Sequence, residues 1–263
     1  MRVFSHANLI IAAVGVIFLV SSFATAMASS KSDIGEGYAQ PEYKEVIQSV
    51  VLLGGLDINQ NKIADLYAKL IYCDIFKKNY KNDFEWNNIR RQIIARVLEK
   101  REMYRTQYQI KGVIRLGRYD FDRQTFPITA DTSLKNVGSM DIFNYKAVEG
   151  DTCYIEGIEE TLGSFSRNIS LYLNQPLTLE EIKIPMDEAE AVLTKMSELG
   201  VKDRSVFVRF RFKFLDVPLV HYSTQGDMSR IEIKGQVQHI DFFFDEELTQ
   251  WIASAPVATV QYR

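Results

Sequence analysis

The run Val206-Phe207-Val208-Arg209-Phe210-Arg211-Phe212-Lys213-Phe214 alternates apolar and cationic side chains with the two-residue period of a half-buried strand. Val206, Val208, Phe210, Phe212 and Phe214 share one side of such a strand, and Arg209, Arg211 and Lys213 share the other. From Arg230 the device repeats, with Ile231, Ile233 and Val237 opposed to Glu232, Lys234 and Gln236. The two runs, about 205–215 and 229–244, read as a long antiparallel ribbon with one dry and one wet face. Left bare, the phenylalanine side would expose on the order of several hundred Å² of apolar surface, a patch rare on monomers. Another element must cover it. The candidate is a helix over about 186–199, beginning at Asp187, with Ala189, Ala191, Val192, Met196 and Leu199 on its apolar side and Gly200 as its stop.

Upstream of the ribbon the period is helical. Pro41 opens a helix in which Tyr43, Val46, Ile47, Val50 and Val51 recur at three-four spacing until Gly54 and Gly55 end it. A second helix, capped by Asn59 or Asn61, carries Ile63, Leu66, Tyr67, Leu70, Ile71, Asp74 and Ile75. A third begins at Asn82, whose spacing to Glu85 is that of a capping box, and it buries Trp86, Ile89, Ile93, Val97 and Leu98. From Tyr108 the period falls to two, giving a strand that ends near Gly117. Residues 130–163 read as loops with one or two short strands. Ile169, Leu171 and Leu173 form a strand that Asn174 and Pro176 end, and a further extended piece reaches Pro185. Residues 216–229 read as a loop, Asp245 precedes a short helix with Leu248, Trp251 and Ile252, and Val257 to Tyr262 supplies a last strand. The expectation is one α+β domain over 41–263, helical over 41–106 and sheet-rich over 107–263.

Composition places the chain among ordinary globular proteins: 263 residues, 46% hydrophobic, 25% charged, formal net charge −3. No overall cationic field exists to gather nucleic acid, which is excluded as the expected partner. The beginning has the order of a secretory leader, with Arg2, an uncharged apolar run from Leu9 to Val20, and small residues at Ala26 and Ala28 suited to cleavage before Ser29. Residues 1–28 are therefore expected to be a signal peptide and 29–40 a flexible tether, leaving a periplasmic or secreted protein. The alternative is an uncleaved membrane anchor, since Leu9 to Ala28 just suffices to span a bilayer. Export would place Cys73 and Cys153 where disulfides persist. Pairing would close a long loop, whereas two buried free thiols are the plainer reading, and nothing in the local sequence brings them together.

The third helix also carries Arg90, Arg91, Arg96 and Lys100, with Arg101 and Arg105 just beyond. This basic cluster reads either as a contact for an anionic membrane surface or acidic envelope protein, or as a solvated face relieved by Glu99 and Glu102.

Leu116-Gly117-Arg118-Tyr119-Asp120-Phe121 followed by Phe126-Pro127-Ile128 is the most motif-like text in the chain. It resembles the signature of a family of uncharacterised exported bacterial proteins, a domain of unknown function. The resemblance implies bacterial origin, export and a single domain of mixed type, and it brings no catalytic residues.

Chemistry-bearing patterns are few. No Gly-x-Ser-x-Gly elbow, Walker loop or dinucleotide fingerprint occurs. His221 and His239, the histidines beyond the leader, fall short of a zinc set. Asp120 and Asp122 lack an EF-hand loop, because Thr125 and Asp131 stand where its glycine and glutamate belong. Glu156, Glu159 and Glu160 read as a solvated loop, so neither metal nor cofactor is expected. Three functions follow. The first is a non-catalytic envelope or periplasmic protein that binds a partner or ligand through the sheet or the basic helix. An exported hydrolase using dispersed carboxylates, or a cysteine and histidine pair, is the second. In the third, an apolar-ligand or lipid carrier, the phenylalanine ribbon and the covering helix enclose a cavity.

Overall fold

A computed structural model of the protein describes residues 37–144, 153, 162–224 and 226–255. The leader, most of the tether, the acidic Glu156 to Glu160 stretch and the strand expected at Val257 to Tyr262 lie outside the described residues. The body from Gly37 onward is compact. Ala39, expected in the tether, already pairs with the sheet: its carbonyl accepts from Gln109 at 2.9 Å.

The elements are α1 (Tyr43–Leu52), α2 (Asn61–Ile71), α3 (Cys73–Asn79), α4 (Asp83–Lys100), β1 (Gln107–Arg115), β2 (Thr125–Pro127), β3 (Leu134–Phe143), β4 (Ile169–Leu179), β5 (Glu181–Lys183), α5 (Met186–Glu198), β6 (Ser205–Phe214), β7 (Leu219–Tyr222), β8 (Met228–Phe243) and β9 (Trp251–Ala255). The architecture is α+β, helices first and sheet after, as the periodicities predict. Asn82 caps α4 as expected, accepting from the Glu85 N–H at 3.2 Å. The second helix is not continuous. At Tyr72 the backbone leaves the helical region (φ −123°, ψ 47°), so α2 ends at Ile71 and Cys73 opens α3 instead of sitting mid-helix.

β8 organises the sheet. One of its edges pairs first with β7 and then with β6, and its other edge pairs with β4 and then β9, giving the order β1-β6-β8-β4-β3 with β7 and β9 attached to β8. The β6–β8 ribbon is antiparallel, as expected, while β4 runs parallel to β8, so the sheet is mixed. Arg211 faces His239 and Phe212 faces Val237, which leaves Gln238 as an extra residue. That bulge reverses the alternation of β8: Ile231, Ile233 and Val237 are buried before it, Ile240 and Phe242 after it.

The dry face is sealed by the protein's own elements. Phe212, Phe214, Ile231, Ile233, Ile169 and Leu171 join α1, α2 and α4 in one core, through residues such as Ile47, Leu66, Tyr67 and Trp86. Val206, Val208, Phe210, Ile240 and Phe242 join a second core with Ala189, Val192 and Met196 of α5 and Phe126 and Ile182 of the β2–β5 pair. The expected covering helix thus shields half of the ribbon, and the N-terminal helices shield the rest. Each phenylalanine so buried contributes roughly 1.5–3 kcal/mol of transfer free energy.

Three local expectations are corrected. β4 continues through Asn174 and Pro176, because its pairing to β8 stops at Leu173 and its register against β3 jumps from Ser139/Tyr172 to Val137/Leu177. Pro176 therefore sits in a bulge where no ladder needs its missing N–H. Residues 216–229 contain β7, whose Val220 pairs with Ile231. Asp245 does not start a helix: its carboxylate accepts from the N–H groups of Thr249 (3.0 Å) and Gln250 (2.6 Å), closing a turn that feeds β9.

Candidate functional site

Period-two alternation sends the polar residues of every strand to the face opposite the cores. On that face two arginine-centred clusters form, one at each end of β8.

The first is closed. Arg209 donates from Nη2 to Asp241 Oδ2 at 3.0 Å, Arg211 donates to the same oxygen at 2.8 Å, and Ser254 of β9 donates to Oδ1 at 2.6 Å. The side chains of Arg209 and Asp241 are each only 4% exposed. The Arg209 guanidinium lies 4.8 Å from the Phe243 ring, and that of Arg211 lies 5.6 Å from Tyr38, whose hydroxyl reaches Gln238. Burial pushes the Asp241 carboxyl up, but the Ser254 hydroxyl and the two guanidiniums outweigh it and hold the group below the usual carboxylate range. Such a fully engaged carboxylate is a structural fastening between β6, β8 and β9.

The second cluster is open. Arg230, near the start of β8, donates from Nη2 to the Tyr172 hydroxyl at 2.8 Å and to Ser170 Oγ at 3.3 Å, and its Nε lies 3.4 Å from Glu232. Its guanidinium also stands 5.4 Å from the Tyr172 ring. Ser170, 3% exposed, donates to Asp141 Oδ1 on β3 at 2.8 Å. His221 of β7 approaches the other oxygen of Glu232 at 3.3 Å. Beside this network lies an open concavity of about 360 Å³, lined by Asp141, Phe143, Asn144, Asn168, Ser170, Ser229 and Arg230. Asn168 and Ser229 are tied to the framework, Asn168 donating to the Ser229 carbonyl at 3.4 Å and Ser229 to the His221 carbonyl at 3.2 Å. The concavity lies where the end of β3 and the starts of β4 and β8 come together, and it offers donors and acceptors on these strands and on the adjoining Asn144 and Asn168.

Sequence reasoning missed this cluster, since its members come from four separate strands, β3, β4, β7 and β8. The only signal was the polar phase of β8, in which Arg230 and Glu232 share the wet side.

The basic residues of the third helix do not assemble into one face. Arg90 is withdrawn from it, donating to both oxygens of buried Asp65 at 2.6 and 3.0 Å, while Trp86 donates to the same carboxylate at 2.9 Å. Arg91, Arg96, Lys100, Arg101 and Arg105 are exposed. Arg96 and Lys100 stand one turn apart, but Arg91 points about 140° around the helix from Arg96. Arg91 donates to Asn88 at 2.6 Å, and Arg101 meets Glu102 at 3.5 Å.

Cys73 and Cys153 form a disulfide with a Cα separation of 5.5 Å. The break at Tyr72 places Cys73 at the head of α3. Both thiols are consumed, so neither is available as a nucleophile beside a histidine. Among the described residues no group of three or more His, Cys, Asp or Glu side chains is placed to hold a metal ion, and no helix is long and apolar enough to cross a membrane. Asp120 accepts from the N–H groups of Asp122 and Arg123, both at 3.0 Å, as a turn residue does.

A family model described as a domain of unknown function (DUF4852) matches residues 60–195. That interval holds both cysteines, the stretch from Leu116 to Ile128, and Asp141, Ser170 and Tyr172 of the open cluster; Arg230 lies beyond it. No curated protein and no solved structure matches the chain.

Proposed function

Because the chain belongs to the DUF4852 family of domains of unknown function, it inherits no assigned chemistry, and we propose from its geometry that it is an exported, non-catalytic binding protein of the bacterial envelope. The observation that carries this reading is the open cluster around Arg230. Its groups are already engaged with one another, as a preformed recognition surface requires: Arg230 pairs with Glu232, Asp141 accepts from Ser170, the buried Ser170 hydroxyl also accepts from Arg230, and the Ser229 hydroxyl donates to the His221 carbonyl. A hydrolase using Asp141 and Glu232 would need a carboxyl left poised to take or give a proton, whereas here Arg230 and Ser170 engage them. An apolar carrier would need space beneath Phe212 and Phe214, which are fully buried against the helices. The two arginine centres divide the work: Arg209 fastens the sheet and Arg230 meets the ligand.

Export is supported by the leader pattern of residues 1–28 and by the disulfide, a bond that persists in oxidising compartments. In this reading the mature chain begins at Ser29 and occupies the periplasm, and an anchored form would retain Met1. Isotope-labelled protein mixed with the low-molecular-weight fraction of the cell envelope tests the binding. Amide resonances of Asn168, Ser229 and Arg230 are expected to shift and to return on dialysis with the fraction chemically unchanged. Shifts confined to other surfaces, or conversion of a component, would contradict the proposal.

A further inference from the structure

We infer that the concavity beside Arg230 takes a neutral polyhydroxylated ligand, a sugar unit of a glycan, in preference to an anion; this rests on the binding role proposed above. The charge balance of the cluster is the first ground. Arg230 is neutralised by Glu232 at 3.4 Å, and Asp141 adds a second carboxylate, so the cavity offers no surplus positive charge. A carboxylate or phosphate ligand would meet Asp141 as a like charge and would have to displace Glu232 from Arg230. The second ground is the inventory of unused hydrogen-bonding atoms. Asp141 commits Oδ1 to Ser170 and Arg230 commits Nε and Nη2, while among the described residues Oδ2 of Asp141 and Nη1 of Arg230 have no partner. An acceptor-only carboxylate, a donor-only guanidinium and the amide of Asn168 line one cavity, and adjacent hydroxyls, each both donor and acceptor, match that mixture where a simple anion does not. Third, Phe143, whose ring packs edge-on against Tyr43 of α1 at 5.7 Å, borders the cavity and adds one apolar contact for the C–H side of a sugar. A volume of about 360 Å³, open to solvent, suits one or two rings of a longer chain rather than an enclosed small molecule.

The experiment is an NMR titration of the disulfide-bonded mature chain with maltotriose, cellotriose and chitotriose as neutral probes, and with glucuronate and inorganic phosphate as anionic ones. At least one neutral trisaccharide is expected to move the amides of Asp141, Asn168, Ser229 and Arg230 saturably. Asp141→Ala and Arg230→Ala each weaken that binding at least about tenfold, the loss of one hydrogen bond to a charged group, and Arg96→Ala leaves it unchanged. Asp141→Asn and Arg230→Lys serve where an alanine variant does not give a dispersed spectrum. Binding of phosphate or glucuronate alone at these amides would overturn the ligand class while leaving the binding role standing. Failure of every probe to move them at 20-fold excess over millimolar protein would overturn the inference, and the envelope-fraction titration then decides the binding role separately.

Discussion

Arg209 on β6 and Asp241 on β8 stand opposite each other in the ladder and meet at 3.0 Å with both side chains sealed from water. Removing one partner strands the other charge in a dry site. Asp241→Ala leaves Arg209 and Arg211 without their shared carboxylate, and a loss of about 3–5 kcal/mol is expected, read from the denaturant midpoint at unchanged slope. A loss below about 1 kcal/mol would show that the site is wetter than its burial indicates.

Acid tests the same carboxylate. Its folded-state pKa lies below the unfolded value, so its contribution to stability is fully present above the ordinary carboxylate value of about 4 and is lost as pH falls through the folded value. Unfolding midpoints of the wild type should therefore decline below about pH 4 more steeply than those of Asp241→Asn, which has no such proton to take up. Parallel declines would assign the acid sensitivity to other groups.

The disulfide closes a loop of 80 residues. In the chain-entropy account such a crosslink stabilises by about 4 kcal/mol, so Cys73→Ser with Cys153→Ser should melt markedly lower, and reduction should change the mobility of the wild type on a denaturing gel. Identical mobility with and without reductant would contradict the pairing.

Gly235 lies at the crossing point of the sheet, paired with Leu173 of β4 on one side and Phe214 of β6 on the other. A Cβ there would drive into the Leu171 side chain and stand 3.0 Å from the Lys213 carbonyl. Gly235→Ala is expected to cost about 1–3 kcal/mol by overpacking, despite the better strand propensity of alanine. A neutral or stabilising result, measured by thermal unfolding, would mean that β4 and β6 can part to admit it.

What was legible follows from locality. The Val206 to Phe214 alternation, the Asn82 and Glu85 cap and the Ala189, Val192 and Met196 stripe are each set by neighbours within a turn or a strand, and all three stand in the fold. The bulge at Gln238 was not legible, because its register is fixed by two flanking strands at once. The same holds for Pro176, which reads as a stop until β3 and β4 slip past each other around it. The break at Tyr72 lies inside an unbroken apolar periodicity, and tertiary packing overrides it. Arg90 looked like surface charge because its partner Asp65 belongs to another helix. The open cluster was hidden for the same reason: Asp141, Ser170 and Arg230 come from three strands, and only β4 lying between β3 and β8 makes them neighbours.

The division of labour between the two arginines is tested most directly by titrating the envelope small-molecule fraction into Arg230→Ala and Arg209→Ala side by side, with the unfolding midpoint of each recorded. The side chain of Arg230 is 42% exposed, so its removal should change stability by no more than about 1 kcal/mol and abolish the shifts at Asn168 and Ser229. Arg209→Ala should lose about 3–5 kcal/mol and, where still folded, bind as the wild type does. Retained binding in Arg230→Ala, or an unfolding loss equal to that of Arg209→Ala, would contradict the account.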